Sequence, residues 1–140
     1  MVVHFFYQKS ILPFFSRRIG LALNPKTGIY EQTPITYGAR VSGKLNPDWR
    51  IGALNVQSQR IDAKGVPTQN YSMVALQRKL FARSNVGVYM VNKESFIDTD
   101  LQKSNGYQPF NRDLGFEYNL ASKDNFWTGS LFYAKTISPQ

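Results

Sequence analysis

The chain has 140 residues, with 17 Lys and Arg against 9 Asp and Glu, so it carries a formal charge of +8, and it has no cysteine and one histidine. That length suffices for one domain with a core. The missing thiols exclude disulfides and thiolate metal sites, and no run of about 18 apolar residues exists to form a transmembrane helix, which leaves membrane-spanning strands open. The positive balance is compatible with nucleic acid, an anionic membrane surface or acidic sugars, and selects none of them.

Residues 1–12 read as a lead segment and residues 13–140 as a single β unit. The lead is apolar at Phe5, Phe6, Ile11 and Leu12. Residues 1–15 loosely resemble a signal peptide but lack the basic amino end, and Pro13 precedes no small-residue cleavage site. Helical periodicity is nearly absent from the rest, and strand signals are frequent. The first strand is expected from Phe14 to Leu23. Arg17 and Arg18 are neighbours in it and point to opposite faces. A strand with a wet lumen on one side tolerates such a pair, as does a strand end where both arginines reach water.

Asn24-Pro25-Lys26-Thr27-Gly28 is turn chemistry, and the loop extends to Pro34. The second strand, Ile35 to Leu45, alternates Ile35, Tyr37, Ala39, Val41 and Leu45 with Thr36, Arg40, Ser42 and Lys44. After the tight turn Asn46-Pro47-Asp48, the third strand runs to Ile61. Its apolar parity changes from Trp49, Ile51 and Ala53 to Leu54 and Val56, which predicts a bulge near Ala53 to Asn55. A longer loop, Asp62 to Gln69, precedes the fourth strand, Asn70 to Phe81. The turn Ala82 to Asn85 leads to the fifth, Val86 to Lys93, which is apolar on both faces. The longest loop is Glu94 to Pro109. The sixth strand, Phe110 to Leu120, alternates Leu114, Phe116, Tyr118 and Leu120 with Asp113, Gly115, Glu117 and Asn119. The turn Ser122 to Asn125 precedes the seventh strand, Phe126 to Thr136.

Connections therefore alternate long and short, so an antiparallel meander gathers the long loops at one end and the tight turns at the other. Outer-membrane barrels have this asymmetry, and strands of about 9–11 residues match a tilted span. Aromatics at strand ends, among them Tyr37, Trp49, Phe81, Phe110, Trp127 and Tyr133, match interfacial girdles. The expected fold is all-β, an antiparallel up-and-down meander of about seven strands, forming a segment of a transmembrane β-barrel. Closure with eight strands needs an extra strand from Val2 to Gln8. The competing architecture is a soluble barrel whose aromatics fill the interior.

Several stretches also resemble a known family. They are Pro13 to Leu21, Ile35 to Lys44, Trp49 to Asn55, Arg83 to Gly87, Val91-Asn92, Asn111 to Gly115 and Ala134 to Thr136. Together they are similar to the outer-membrane β-barrel domain of unassigned function that follows a family 9 carbohydrate-binding module in Bacteroidota proteins. Ser16-Arg17-Arg18-Ile19-Gly20 is the most specific element. The resemblance implies an outer-membrane location, a structural or transport-related role, and a link to glycan handling. The carbohydrate module is absent and family barrels are longer than this chain, so the expectation is a fragment of a barrel wall. No residue here belongs to the sugar-binding module.

Catalytic constellations are not found, and the chain is not expected to be an enzyme. His4 sits in the apolar lead with no nucleophile or metal cluster to join. Asp98-Thr99-Asp100 offers oxygen ligands for a hard cation, but loop acids of this kind are usually solvated. Asp113 and Glu117 lie about 13 Å apart at strand rise, too far for a glycosidase pair. No cofactor and no metal site is expected. The candidate binding residues are polar lumen side chains: Arg40, Lys44, Lys79, Asp113 and Glu117. The expected partners are the lipid bilayer or the remaining strands of a larger barrel, with a glycan as a candidate ligand. Nucleic acid is disfavoured because Tyr37, Trp49, Phe116 and Tyr118 are not interleaved with the basic residues. The alternative function is a soluble β-barrel module that binds a small or anionic ligand.

Overall fold

A computed structural model describes residues 20–23, 27–124 and 126–139. The lead segment, His4, the Arg17-Arg18 pair, the extra strand from Val2 to Gln8 and most of the first expected strand lie outside these residues.

The described chain is all-β, apart from one 3-10 turn and one short helix. Strands β1 (Leu21–Leu23) and β2 (Tyr30–Gln32) form a small antiparallel ribbon. The main sheet holds β3 (Ile35–Lys44), β4 (Trp49–Ser58), β5 (Thr68–Leu80), β6 (Ser84–Phe96), β7 (Phe110–Ala121) and β8 (Thr128–Ile137), in chain order. Every neighbouring pair is antiparallel. The meander therefore has six strands among the described residues. The segment Leu21–Leu23 pairs with β2, inside the expected Asn24–Pro34 loop, and not with β3. The sheet does not close on itself among the described residues.

Three connections of the main sheet are tight, and two of them close on side chains of the turn types the sequence offers. In β3–β4 the Asn46 Oδ1 accepts from the amides of Asp48 and Trp49, each at 2.9 Å. In β7–β8 the Asp124 carboxylate accepts from the Ser122 hydroxyl at 2.6 Å and the Phe126 amide at 3.2 Å. These are Asx- and ST-type closures that mimic a backbone turn.

The cross-strand register sorts side chains onto two faces, because directly opposed residues point the same way. One face carries Val41, Ile51, Val74, Leu76, Val88, Met90, Leu114, Phe116, Leu131 and Tyr133. It is open, with Val41 67 % exposed and Leu131 and Tyr133 nearly as accessible. The other face carries the small buried core of Ala75, Tyr89 and Val91, with Met73 and Phe132 packed against it. No second layer lies over either face among the described residues. Side chains that crowd on one face of a single sheet while those on the other splay apart are the signature of a sheet curled toward the crowded side. We call the crowded face inner and the open face outer.

Tyr89 shows how the curl is accommodated. Gly115 stands directly opposite it on β7. A Cβ on Gly115 would lie 2.1 Å from the Tyr89 ring. The ring therefore lies over bare backbone and continues to Phe132 on β8, with centroids 6.2 Å apart and planes 16° from parallel. Aromatic cover of a strand glycine offsets the packing that the glycine itself cannot supply.

Two expectations change. The register runs without interruption from Trp49 to Gln57, so there is no bulge at Ala53 to Asn55. The parity change there has another cause: Leu54 and Val56 face the crowded inner side, where Val56 is buried, and Asn55 faces out to bond Asn70 and Ser72. The register shift instead falls between Ile35 and Tyr37, which puts Ile35 on the face opposite to Tyr37.

The long-loop end is an ordered cap. A helix α1 (Asp100–Ser104) starts at a capping box of Thr99 and Gln102. It rests on the β4–β5 connection, where Asn105 donates to the carbonyls of Lys64 at 3.3 Å and Gly65 at 3.1 Å. Gln102 of the helix and Val66 and Pro67 of the β4–β5 connection are fully buried. Arg60 bridges to Asp62 and, at 2.8 Å, to Asp98, and Lys64 pairs with Glu31 of β2. Exposed pairs of this kind contribute little individually.

Candidate functional site: the polar inner face

Strand alternation brings the five sequence candidates to one side of the sheet. Arg40 and Lys44 of β3, Lys79 of β5, and Asp113 and Glu117 of β7 all fall on the inner face. The structure does not bring their opposite charges together. Asp113 accepts from the Thr136 hydroxyl. Glu117, only 9 % exposed, accepts from Asn119 Nδ2 at 2.5 Å. The three basic candidates make no ion pair among the described residues.

An amide relay crosses the middle of this face at the turn-proximal level. Gln77 Nε2 donates to Asn85 Oδ1 at 3.0 Å, Asn119 Nδ2 donates to the same oxygen at 3.1 Å, and Asn119 also reaches Glu117. It links β5, β6 and β7. Networks whose members are all bonded hold side chains in one arrangement.

Beside the relay lies a basic cleft of about 270 Å³, lined by Pro47, Asp48, Arg50, Gln77, Lys79, Arg83, Ser84 and Asn85. Its shape follows from the register. Lys44 is directly opposite Arg50, Arg50 is opposite Gln77, and Lys79 is opposite Asn85. Arg83 comes from the β5–β6 turn, where Phe81 takes a left-handed φ of 55°. The Lys79 amide donates to the Asp48 carbonyl at 2.7 Å and ties this turn to the one beside it. Sequence reasoning named Lys44 and Lys79 and passed over Arg50 and Arg83. The signal for Arg50 was present, since it alternates with Trp49 and Ile51, both outward. Arg83 lies in a turn, where alternation says nothing.

The outer face has its own order. An apolar belt is bounded on the turn side by Arg78, whose guanidinium lies 5.2 Å from the Trp49 ring centre, and on the loop side by Arg112, 4.7 Å from that of Phe110. Beyond the belt on the loop side stands a polar ladder. In it Asn55 donates to Asn70 at 3.0 Å and to Ser72 at 2.7 Å, and Arg112 donates to Asn92 at 3.1 Å. In the Asp98 to Asp100 loop, Asp98 pairs with Arg60 and Asp100 with Lys103. No cluster of three or more metal-ligating acids or histidines occurs among the described residues.

Comparison with known protein families, with curated proteins and with solved structures found no match to this chain.

Proposed function

We propose that this chain is a wall segment of an outer-membrane β-barrel, with a structural or transport-related role. The observation that carries the reading is the outer face: an exposed apolar belt with an Arg–aromatic pair at each border. On β7 the outward series between the Arg112 border and Tyr118, which stands level with Arg78, runs ~20 Å along the strand, with Phe110 and Leu120 placing further apolar side chains just beyond the two borders. Amphipathic aromatics and arginines suit a water–lipid boundary, where one end of the side chain is dry and the other wet. The inner face, which carries side chains of both charges around a small apolar core, then lines the lumen. The resemblance to Bacteroidota barrel domains points the same way, and the link to glycan handling rests on that resemblance alone.

Flotation tests the proposal. The chain, folded by dilution from urea in the presence of phosphatidylcholine vesicles, is expected to float with them and to resist salt and carbonate extraction. A monodisperse, lipid-free chain that ignores the vesicles would overturn it. That outcome would favour the second reading, a soluble module for a small or anionic ligand, which the basic cleft supports.

A further inference from the structure

We infer that the cleft at the turn end of the inner face is a binding site for a compact multivalent anion, of the phosphate or polycarboxylate class. It is built by Arg50, Lys79 and Arg83, with Gln77 and Asn85 as neutral donors and Lys44 at its border. The inference stands on the inner face alone and holds whether the outer face meets lipid or not.

Three observations carry it. First, the cations are set against each other. Lys44 directly opposes Arg50, and Lys79 is diagonal to Arg50 through Gln77. Like charges directly opposed on a sheet face are destabilising, and none of Lys44, Arg50, Lys79 and Arg83 makes an ion pair among the described residues. Asp48 is the one acid in the lining, and it too makes no ion pair among the described residues. An anion placed among these cations removes that unfavourable term. Second, the site has volume and walls: about 270 Å³ admits a ligand of roughly the size of pyrophosphate or citrate. Third, its floor is fixed. Gln77 and Asn85 are bonded to each other, and Ser84 both donates to the Ala121 carbonyl and accepts from its amide. The donors are thus held before a ligand arrives, which lowers the ordering cost of binding.

Two arginines favour a ligand with planar or tetrahedral oxyanion groups, since the guanidinium fork bonds two oxygens at once. The cleft opens on the side opposite the apolar belt. Its ligand therefore comes from the aqueous side, as a free anion and not as a lipid headgroup.

The test is titration of the folded chain, in neutral detergent micelles, with pyrophosphate at a constant ionic strength of about 0.1 M set by sodium chloride. Isothermal calorimetry and amide shifts of Gln77, Ser84 and Asn85 report binding. Saturable binding is expected, on the order of tenfold weaker or more in the double variant Lys79→Gln with Arg83→Gln. Lys103→Gln with Lys135→Gln removes the same charge elsewhere and should leave it unchanged. Doping the micelles with phosphatidylglycerol should not displace pyrophosphate. The proposal fails if both double variants weaken binding equally, if the signal follows ionic strength alone, or if phosphatidylglycerol competes. Circular dichroism of each variant separates loss of the site from loss of the fold.

Discussion

Phe116 and Glu117 are adjacent in the chain and lie on opposite faces of β7, and they separate the two readings of this molecule. Phe116 faces out into the belt, opposite Val88 and Tyr133. In a bilayer, Phe116→Arg should cost ~2–4 kcal/mol of folding stability, whereas in water an exposed Arg is nearly neutral. Glu117→Gln keeps an oxygen for Asn119 and should change stability by less than ~1 kcal/mol in either setting. Urea-jump refolding into vesicles measures both. Comparable losses for the two variants would show that the faces are assigned wrongly. Gly115 gives a second test. A methyl there would lie 2.1 Å from the buried Tyr89 ring, so Gly115→Ala should destabilise by roughly 1–3 kcal/mol through overpacking. Combining it with Tyr89→Ala should cost less than the sum of the two single changes, because the second change vacates the space that the first one fills.

At the scale of elements, the turns and the cap respond to different conditions. Asp124 is held below the ordinary aspartate value of 3.8, first by the Ser122 hydroxyl and then by the Phe126 amide. A depressed carboxyl supports its turn above the unfolded value and loses that support as pH falls through the folded one. Hydrogen exchange at Phe126 should therefore quicken below pH 3.8, beyond the intrinsic acid dependence, and Asp124→Asn should abolish the transition. The cap is sensitive to bulk. Gly65 has φ of 61°, and a Cβ there meets Asn105 Nδ2 at 2.6 Å and Leu101 Cγ at 2.8 Å. Gly65→Ala should lift α1 from the β4–β5 connection, speeding protease cleavage within 97–109 while strand amides stay protected. The turns were legible in the sequence because Asn46-Pro47-Asp48 and Ser122-Lys123-Asp124 close through their own side chains. The small ribbon was not, since Tyr30-Glu31-Gln32 carries no alternation and is fixed by its pairing with Leu21–Leu23. The parity change in β4 was misread as a bulge because alternation reports a face but not which face is crowded. Curvature decides that, and it depends on Tyr89, Gly115 and Phe132, two to four strands away.

For the whole molecule, the alternation of connection length survives in the structure: the tight turns at 45–48, 81–83 and 122–127 gather at one end and the cap at the other. If the wall is inserted as proposed, the cap faces outside. The chain lacks cysteine, so Lys103→Cys in α1 and Lys123→Cys in a turn are clean reporters. A membrane-impermeant maleimide on intact cells should label the first and spare the second until the outer membrane is opened. Equal labelling would contradict the orientation. Composition and spacing made the meander and the polar face readable. The basic cleft needed cross-strand register, which sets Lys44 against Arg50 and Arg50 against Gln77 and which no single strand encodes.

The terminal strands of the main sheet lead to a last expectation. β3 and β8 are exposed along nearly their whole length, and among the described residues each leaves one row of amides and carbonyls without a neighbour in the sheet. Such rows are templates for further pairing. Deprived of lipid and of any continuing wall, concentrated chains should stack strand to strand and bury their belts between layers. The product would be fibrillar rather than amorphous. X-ray fibre diffraction of the precipitate should show a meridional spacing of about 4.7–4.8 Å, with thioflavin binding rising in step. Micelles that cover the belt should slow this conversion, and Val41→Lys or Leu131→Lys, placed beside the open rows, should slow it without any micelle.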